Sequence, residues 1–176
     1  MTNAADSPLE RTRMRPGRRS DTERLLDRLG ELGWTIATAE SVTGGLLVAE
    51  LVSVPGASEH VRGGIVAYAS DVKQALLGVD ASFLATHGAV APKVARQMAD
   101  GVRTALAEGD RKVDVGVSTT GIAGPGSPDG QPVGTVHVGV STALGTRVTS
   151  LHLSGDRERI RADTVRAAVR AVLEAL

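Results

Sequence analysis

The chain has 176 residues, 41% of them hydrophobic but only 2% aromatic, no cysteine, and a formal net charge of zero. This suits one domain with a core of Val, Leu, Ala and Ile. It excludes disulfides, thiol catalysis and cysteine-bound zinc, and it fits a reducing cytoplasm.

In chain order, residues 1–19 come first. Arg11, Arg13, Arg15, Arg18 and Arg19 stand there against Asp6 and Glu10, which reads as a disordered basic tail. It has no apolar stretch of the secretory type, and no later run is long enough to span a membrane. The remainder, 20–176, is slightly acidic and nearly free of aromatics, so it lacks the footprint of a nucleic-acid binder. Leu25, Leu26, Leu29 and Leu32 predict a helix over 21–32 stopped by Gly33. "WTIATAE" (34–40) reads as a strand, "LLVAELVSV" as a helix ended by Pro55 and Gly56, and "VRGGIVAYA" (61–69) as a second strand. A short helix over 71–78 and a further turn in "ASFLATHG" follow. Val94, Met98, Val102 and Leu106 share one face of a helix over 91–109, with Pro92 in its first turn and Gly109 as its cap. "VDVGVST" (113–119) is a strand, and 120–132 a loop rich in Gly and Pro. Residues 133–141 and 146–154 form a hairpin. The last helix, 156–176, is capped by Asp156. Alternating strands and helices closed by a hairpin predict a three-layer α/β/α domain with a mixed sheet of about five strands.

Two stretches share a grammar. "TIATAE-SVTGG-LLVAEL" and "VGVSTT-GIAGPG" each run from a strand into a glycine-bearing turn. Beyond the carboxyl ends of strands such turns can cradle an anion; equally, they are tight connections in which Ser41 or Thr43 caps a helix. Tyr68, the only tyrosine, ends a strand, and Lys73 sits early in the next helix, where its charge opposes the helix dipole. A desolvated lysine beside a serine hydroxyl can act as a general base, whereas a solvated lysine does nothing. Arg157, at the start of the last helix, either pairs with Asp156 or Glu158 or reaches an anionic ligand; Arg159 and Arg161 read as a solvated face. The histidines show no metal spacing. Pairing Thr142 with Arg147 sets His137 opposite His152, and His87 shapes a loop.

Taken in order, "TAESVTGG", "GGIVAYASDVK", "LLGV", "HGAV", "TTGIAGPGSPDGQPVGTVHVGV" and "SGDRERIR" resemble the C-terminal domain of the competence/damage-inducible protein CinA, in its stand-alone form. The resemblance covers roughly 20–176. Val42 stands where the family carries cysteine, and Ala91 where a helix-capping serine is common. The resemblance implies hydrolysis of the carboxamide of nicotinamide mononucleotide to nicotinate mononucleotide and ammonia. It implies no metal, no cofactor, a cytoplasmic homodimer, and a small-molecule mononucleotide rather than nucleic acid or membrane as partner. Carried onto this chain, Ser41 is the nucleophile, activated by Lys73 and Tyr68. Glu40, Thr43, Gly44, Gly45, Thr120, Gly121, Gly124 and Arg157 contact the substrate. Which of Lys73 and Tyr68 takes the proton stays open, as does which turn holds the phosphate. The alternative is a catalytically inactive nucleotide-binding or regulatory module of the competence or DNA-damage type.

Overall fold

Ser20 and Glu23 exchange side-chain and backbone hydrogen bonds in a capping box that opens helix α1 (Asp21–Leu32), and Gly33, at φ 62°, closes it. The computed structural model describes residues 19–127 and 130–176. The basic-tail reading therefore lies outside the described residues, apart from Arg19, which pairs with Asp27.

Five strands form one sheet in the order β2-β1-β3-β4-β5. Strand β1 (Ile36–Glu40) runs parallel to β2 (Val61–Val66) on one side and to β3 (Val115–Gly121) on the other. Strands β4 (Thr135–Thr142) and β5 (Gly145–His152) continue the sheet antiparallel. Helices α1, α2 (Leu46–Val52) and α6 (Arg157–Leu173) cover one face, where Leu25, Leu29, Val117, Val138, Ile160 and Val169 share a core. Helices α3 (Ser70–Leu77), α4 (Ala81–His87) and α5 (Pro92–Ala105) cover the other, with Ala39, Leu77, Val94, Met98 and Val102 between. The chain is thus the expected three-layer α/β/α domain with a mixed five-stranded sheet. Helix α5 lies unusually close to the sheet. A Cβ on Gly116 would stand 2.1 Å from the Ala99 carbonyl oxygen, and one on Gly139 would stand 2.6 Å from that of Ala95. Only hydrogen at these two strand positions lets the helix backbone approach so far.

Three local expectations need correction. Gly109 does not cap α5, which ends at Ala105 with Leu106 as its C-cap. The backbones of Glu108 and Arg111 instead bond each other at 3.0 Å in both directions, and that reverse turn holds Gly109. The β4–β5 hairpin is tighter than expected, pairing Thr142 with Gly145; two-residue connections match the twist of paired strands. His137 therefore faces Ser150, 2.9 Å from its hydroxyl, and His152 faces Thr135. Finally, β2 ends at Val66: after the Ala67 N–H bonds the Glu40 carbonyl at 2.8 Å, the chain turns off the sheet into α3.

Candidate active site

The carboxyl ends of the three parallel strands β1, β2 and β3 lie side by side, and each delivers a group to one place. Ser41 leaves β1 with its N–H on the Thr119 carbonyl, at 2.9 Å. Beneath it, the Glu40 side chain is fully buried. Its two oxygens accept from the N–H groups of Gly45 (2.9 Å), Leu47 (3.0 Å) and Val48 (2.7 Å) and from the hydroxyls of Thr43 (2.7 Å) and Thr38 (3.1 Å). Gly45 is the N-cap of α2 and supplies no side-chain bond. Glu40 therefore does the capping expected of Ser41 or Thr43, satisfying N–H groups that the helix cannot.

This arrangement leaves four residues of the expected substrate-binding set outside the lining of the cavity described next. Glu40 is spent inside the fold. Thr43 is buried, its hydroxyl also 2.7 Å from that of Thr119. Gly44 and Gly45 form the outside of the turn and do not line the cavity described next.

With its capping duty removed, the Ser41 hydroxyl meets Lys73. Lys73 Nζ lies 3.0 Å from Ser41 Oγ, 2.8 Å from the Ala67 carbonyl oxygen and 2.9 Å from that of Tyr68. The lysine is fully buried, with no carboxylate in contact among the described residues, and burial lowers its pKa to about 8. A neutral amine has two hydrogens and one lone pair. The Ala67 and Tyr68 carbonyls can take both hydrogens, which leaves the lone pair for the Ser41 hydroxyl. Local sequence explains the burial: α3 begins at Ser70, directly after the β2 exit, so its first turn faces back over the strand ends.

Ser41 and Lys73 open into a cavity of about 400 Å³, also lined by Tyr68, Thr120, Gly121 and Arg157. Ile122, Ala123, Leu84 and Val90 supply an apolar wall. Thr120 is buried and donates its hydroxyl to the Ala89 carbonyl at 2.8 Å, tying one wall segment to β3; Gln131 donates to the Val90 carbonyl at 2.7 Å. Arg157 bonds the Gly124 carbonyl at 2.9 Å and the Tyr68 hydroxyl at 3.3 Å. Tyr68 is 63% exposed, and its phenol touches Arg157 while only its main chain touches Lys73. Expected as an activator of Ser41, it meets Lys73 through its main-chain carbonyl and not its phenol. Among the described residues the lining contains no carboxylate, and no three His, Asp or Glu side chains gather as a metal site. A second groove of about 430 Å³, between α1, α2 and α6, holds no comparable pair of nucleophile and amine.

Sequence reasoning missed Arg161. Expected on a solvated face, it donates from Nε to the Val42 carbonyl at 3.1 Å and from Nη2 to that of Thr43 at 2.8 Å. Its spacing from Arg157 was the available signal, since residues four apart on a helix share a face. His87 stacks on Phe83 at 4.3 Å and bonds Thr86, away from the cavity.

A family model described as the CinA C-terminal domain matches residues 19–176. A CinA-like protein of Frankia casuarinae is 48% identical over 145 residues, which are 82% of this chain and 32% of that protein. The chain spans about a third of the length of the curated relatives it matches. Among solved structures, the competence damage-inducible protein A from Klebsiella pneumoniae superposes with a TM-score of 0.81 at 32% identity, covering 88% of this chain and 93% of that one. The competence/damage inducible protein CihA from Agrobacterium tumefaciens gives 0.78 at 35%, covering 89% and 96%.

Proposed function

We propose that this chain, which belongs to the CinA C-terminal domain family, is a serine amidohydrolase that converts nicotinamide mononucleotide to nicotinate mononucleotide and ammonia. One observation carries the reading: a serine hydroxyl 3.0 Å from the amine of a buried lysine whose pKa is lowered to about 8. A hydroxyl in a cavity, beside an amine that sheds its proton near neutrality, is an activated nucleophile in search of an acyl group.

The steps follow from these atoms. The Ser41 oxygen attacks the carboxamide carbon while its proton passes to neutral Lys73. The ammonium so formed returns the proton to the departing nitrogen as the C–N bond breaks, releasing ammonia and leaving an ester on Ser41. Water, deprotonated by the same amine, then splits the ester and restores the serine. Of the two glycine-bearing turns, the segment 121–124 lines the cavity; the Ile122 N–H is taken by the Thr135 carbonyl at 2.9 Å, and the N–H groups of Ala123 and Gly124 are the candidates for the oxyanion. The Arg157 guanidinium, at the rim, suits a single phosphate. The apolar wall suits a pyridine ring, and among the described residues the lining has no carboxylate to repel the anion. The same reading assigns the chain to the cytoplasm as a homodimer with no nucleic-acid or membrane partner. Among the described residues, no helix is long and apolar enough to cross a membrane.

The test is ammonia release from nicotinamide mononucleotide by the wild type and by Ser41→Ala, with and without a chelator. Release that survives chelation and disappears in a folded Ser41→Ala protein is the expected result. An active Ser41→Ala protein overturns the nucleophile. Binding without release by the wild type leaves a nucleotide-binding module.

A further inference from the structure

The turn that carries Ser41 is tied from within: its first N–H is on the Thr119 carbonyl, and the Thr43 hydroxyl and the Gly45 N–H are on the Glu40 carboxylate. Gly44 and Gly45 follow at φ 60° and 98°, a left-handed pair that glycine adopts without strain. Between the serine and this pair lie the carbonyls of Val42 and Thr43, and both are held by one side chain, Arg161. A Cβ on Gly44 would stand 3.3 Å from Arg161 Nη2, so the guanidinium lies directly against the turn. Helix α6 is a firm base for it: Ile160, Thr164, Val165 and Ala168 are buried around that point.

Arg161 is also set apart from its neighbours by its partners. Arg159 and Arg166 pair with Asp163, and Arg170 with Asp21. The two hydrogen bonds that Arg161 makes among the described residues both go to main-chain oxygens of the serine turn. An arginine fork is suited to that task because its donors are fixed in one plane and can hold two acceptors at once; an ammonium is a point charge without that geometry.

We propose that Arg161 is a positioning residue for Ser41. By pinning the carbonyls of Val42 and Thr43, it fixes the peptide planes that follow the serine and so holds the hydroxyl on Lys73. The inference rests on the reading of Ser41 as an activated nucleophile, and it concerns the hydroxyl's reactivity toward any electrophile.

It can be tested without the proposed substrate. An alkyl fluorophosphonate reacts with an activated serine: an O–P bond forms at Ser41 as the P–F bond breaks, fluoride leaves, and the hydroxyl proton passes to Lys73 and on to solvent. Labelling rates are read by intact mass and peptide mapping for the wild type, Arg161→Ala, Arg161→Gln and Arg159→Ala, alongside thermal midpoints. Labelling of Arg161→Ala is expected to slow by about ten- to a hundredfold, as for a nucleophile displaced by an ångström. Arg159→Ala labels at the wild-type rate. Guanidinium ion at a non-denaturing concentration restores part of the rate to Arg161→Ala and none to Ser41→Ala, which a general loss of packing does not reproduce. With nicotinamide mononucleotide the same variant loses kcat and keeps its KM. Wild-type labelling in Arg161→Ala, or in Arg161→Gln should the alanine variant not fold, overturns the inference. So does an equal loss in Arg159→Ala, or a wild type that is not labelled at Ser41. Fast labelling of the wild type, slow labelling of Arg161→Ala and no ammonia release would retire the substrate and leave the positioning role standing.

Discussion

Glu40 and Lys73 flank the same serine, both are fully buried, and the fold treats them in opposite ways. The Glu40 carboxylate faces five donors, three of them N–H groups at the start of α2. It completes a helix end and has no oxygen left for a ligand. Lys73 faces two carbonyls and a hydroxyl, with no carboxylate in contact among the described residues, and burial makes its charge costly. The contrast teaches that burial alone does not make an ionisable group reactive. A carboxylate fixed by five donors is a structural member; a buried ammonium with neutral acceptors and no counter-charge is pushed toward its neutral form, in which its lone pair can take a proton.

The largest effect that sharpens this contrast is on turnover. Lys73→Met should lower ammonia release by about a thousandfold, the usual share of a general base, while the protein stays folded by circular dichroism. Near-normal turnover would remove Lys73 from the chemistry. Glu40→Ala is the mirror experiment. It strands three N–H groups at the start of α2 and the buried Thr38 hydroxyl, so urea denaturation should report a loss of about 3 kcal/mol or more. A variant as stable as the wild type would mean the cap is dispensable.

The next effect is the pH dependence of stability. The unfolded lysine keeps its proton up to about 10.5 and the folded one only to about 8. Between these values the unfolded state binds more protons, so stability rises with pH; below 8 both states are charged and the burial cost is present in full, of order 3 kcal/mol. Lys73→Met escapes that cost, offset in part by the two carbonyls it leaves without a donor. It should be no less stable than the wild type at pH 7, with its margin shrinking as pH rises through 8. A margin that does not vary with pH would show that Lys73 is not destabilised by its charge. The smallest effect expected is that of Tyr68→Phe, which keeps the carbonyl that Lys73 uses and removes only a 3.3 Å contact to Arg157. Turnover should change less than about tenfold, far below the Lys73→Met loss; a larger drop would return the phenol to the chemistry.

The layered fold was legible because its signals are local. Leu25, Leu26 and Leu29 on α1, and Val94, Met98 and Val102 on α5, repeat at helical spacing and are all buried. The site was legible only in part. Ser41 and Lys73 lie 32 positions apart, and no spacing rule joins a turn after one strand to a helix after another; family resemblance supplied that pair. Glu40 was carried over with the family resemblance as a ligand contact. Its role follows from α2 folding back over it. The β4–β5 register missed because the turn's length decides it, and a two-residue turn moves His137 from His152 to Ser150.

Gly116 and Gly139, where α5 rests on the sheet, lie outside the cavity lining and set a limit for anyone wishing to redirect the Ser41–Lys73 cavity toward another ligand. With carbonyl oxygens 2.1 and 2.6 Å from any added carbon, these two strand positions cannot accept even one methyl group, and enlarging a side chain there would pry the helix off the sheet. The segments 88–90 and 122–126, which wall the cavity without carrying the sheet, are the accessible sites for variation. A library confined to them should change which acyl group enters while the serine and lysine keep their places.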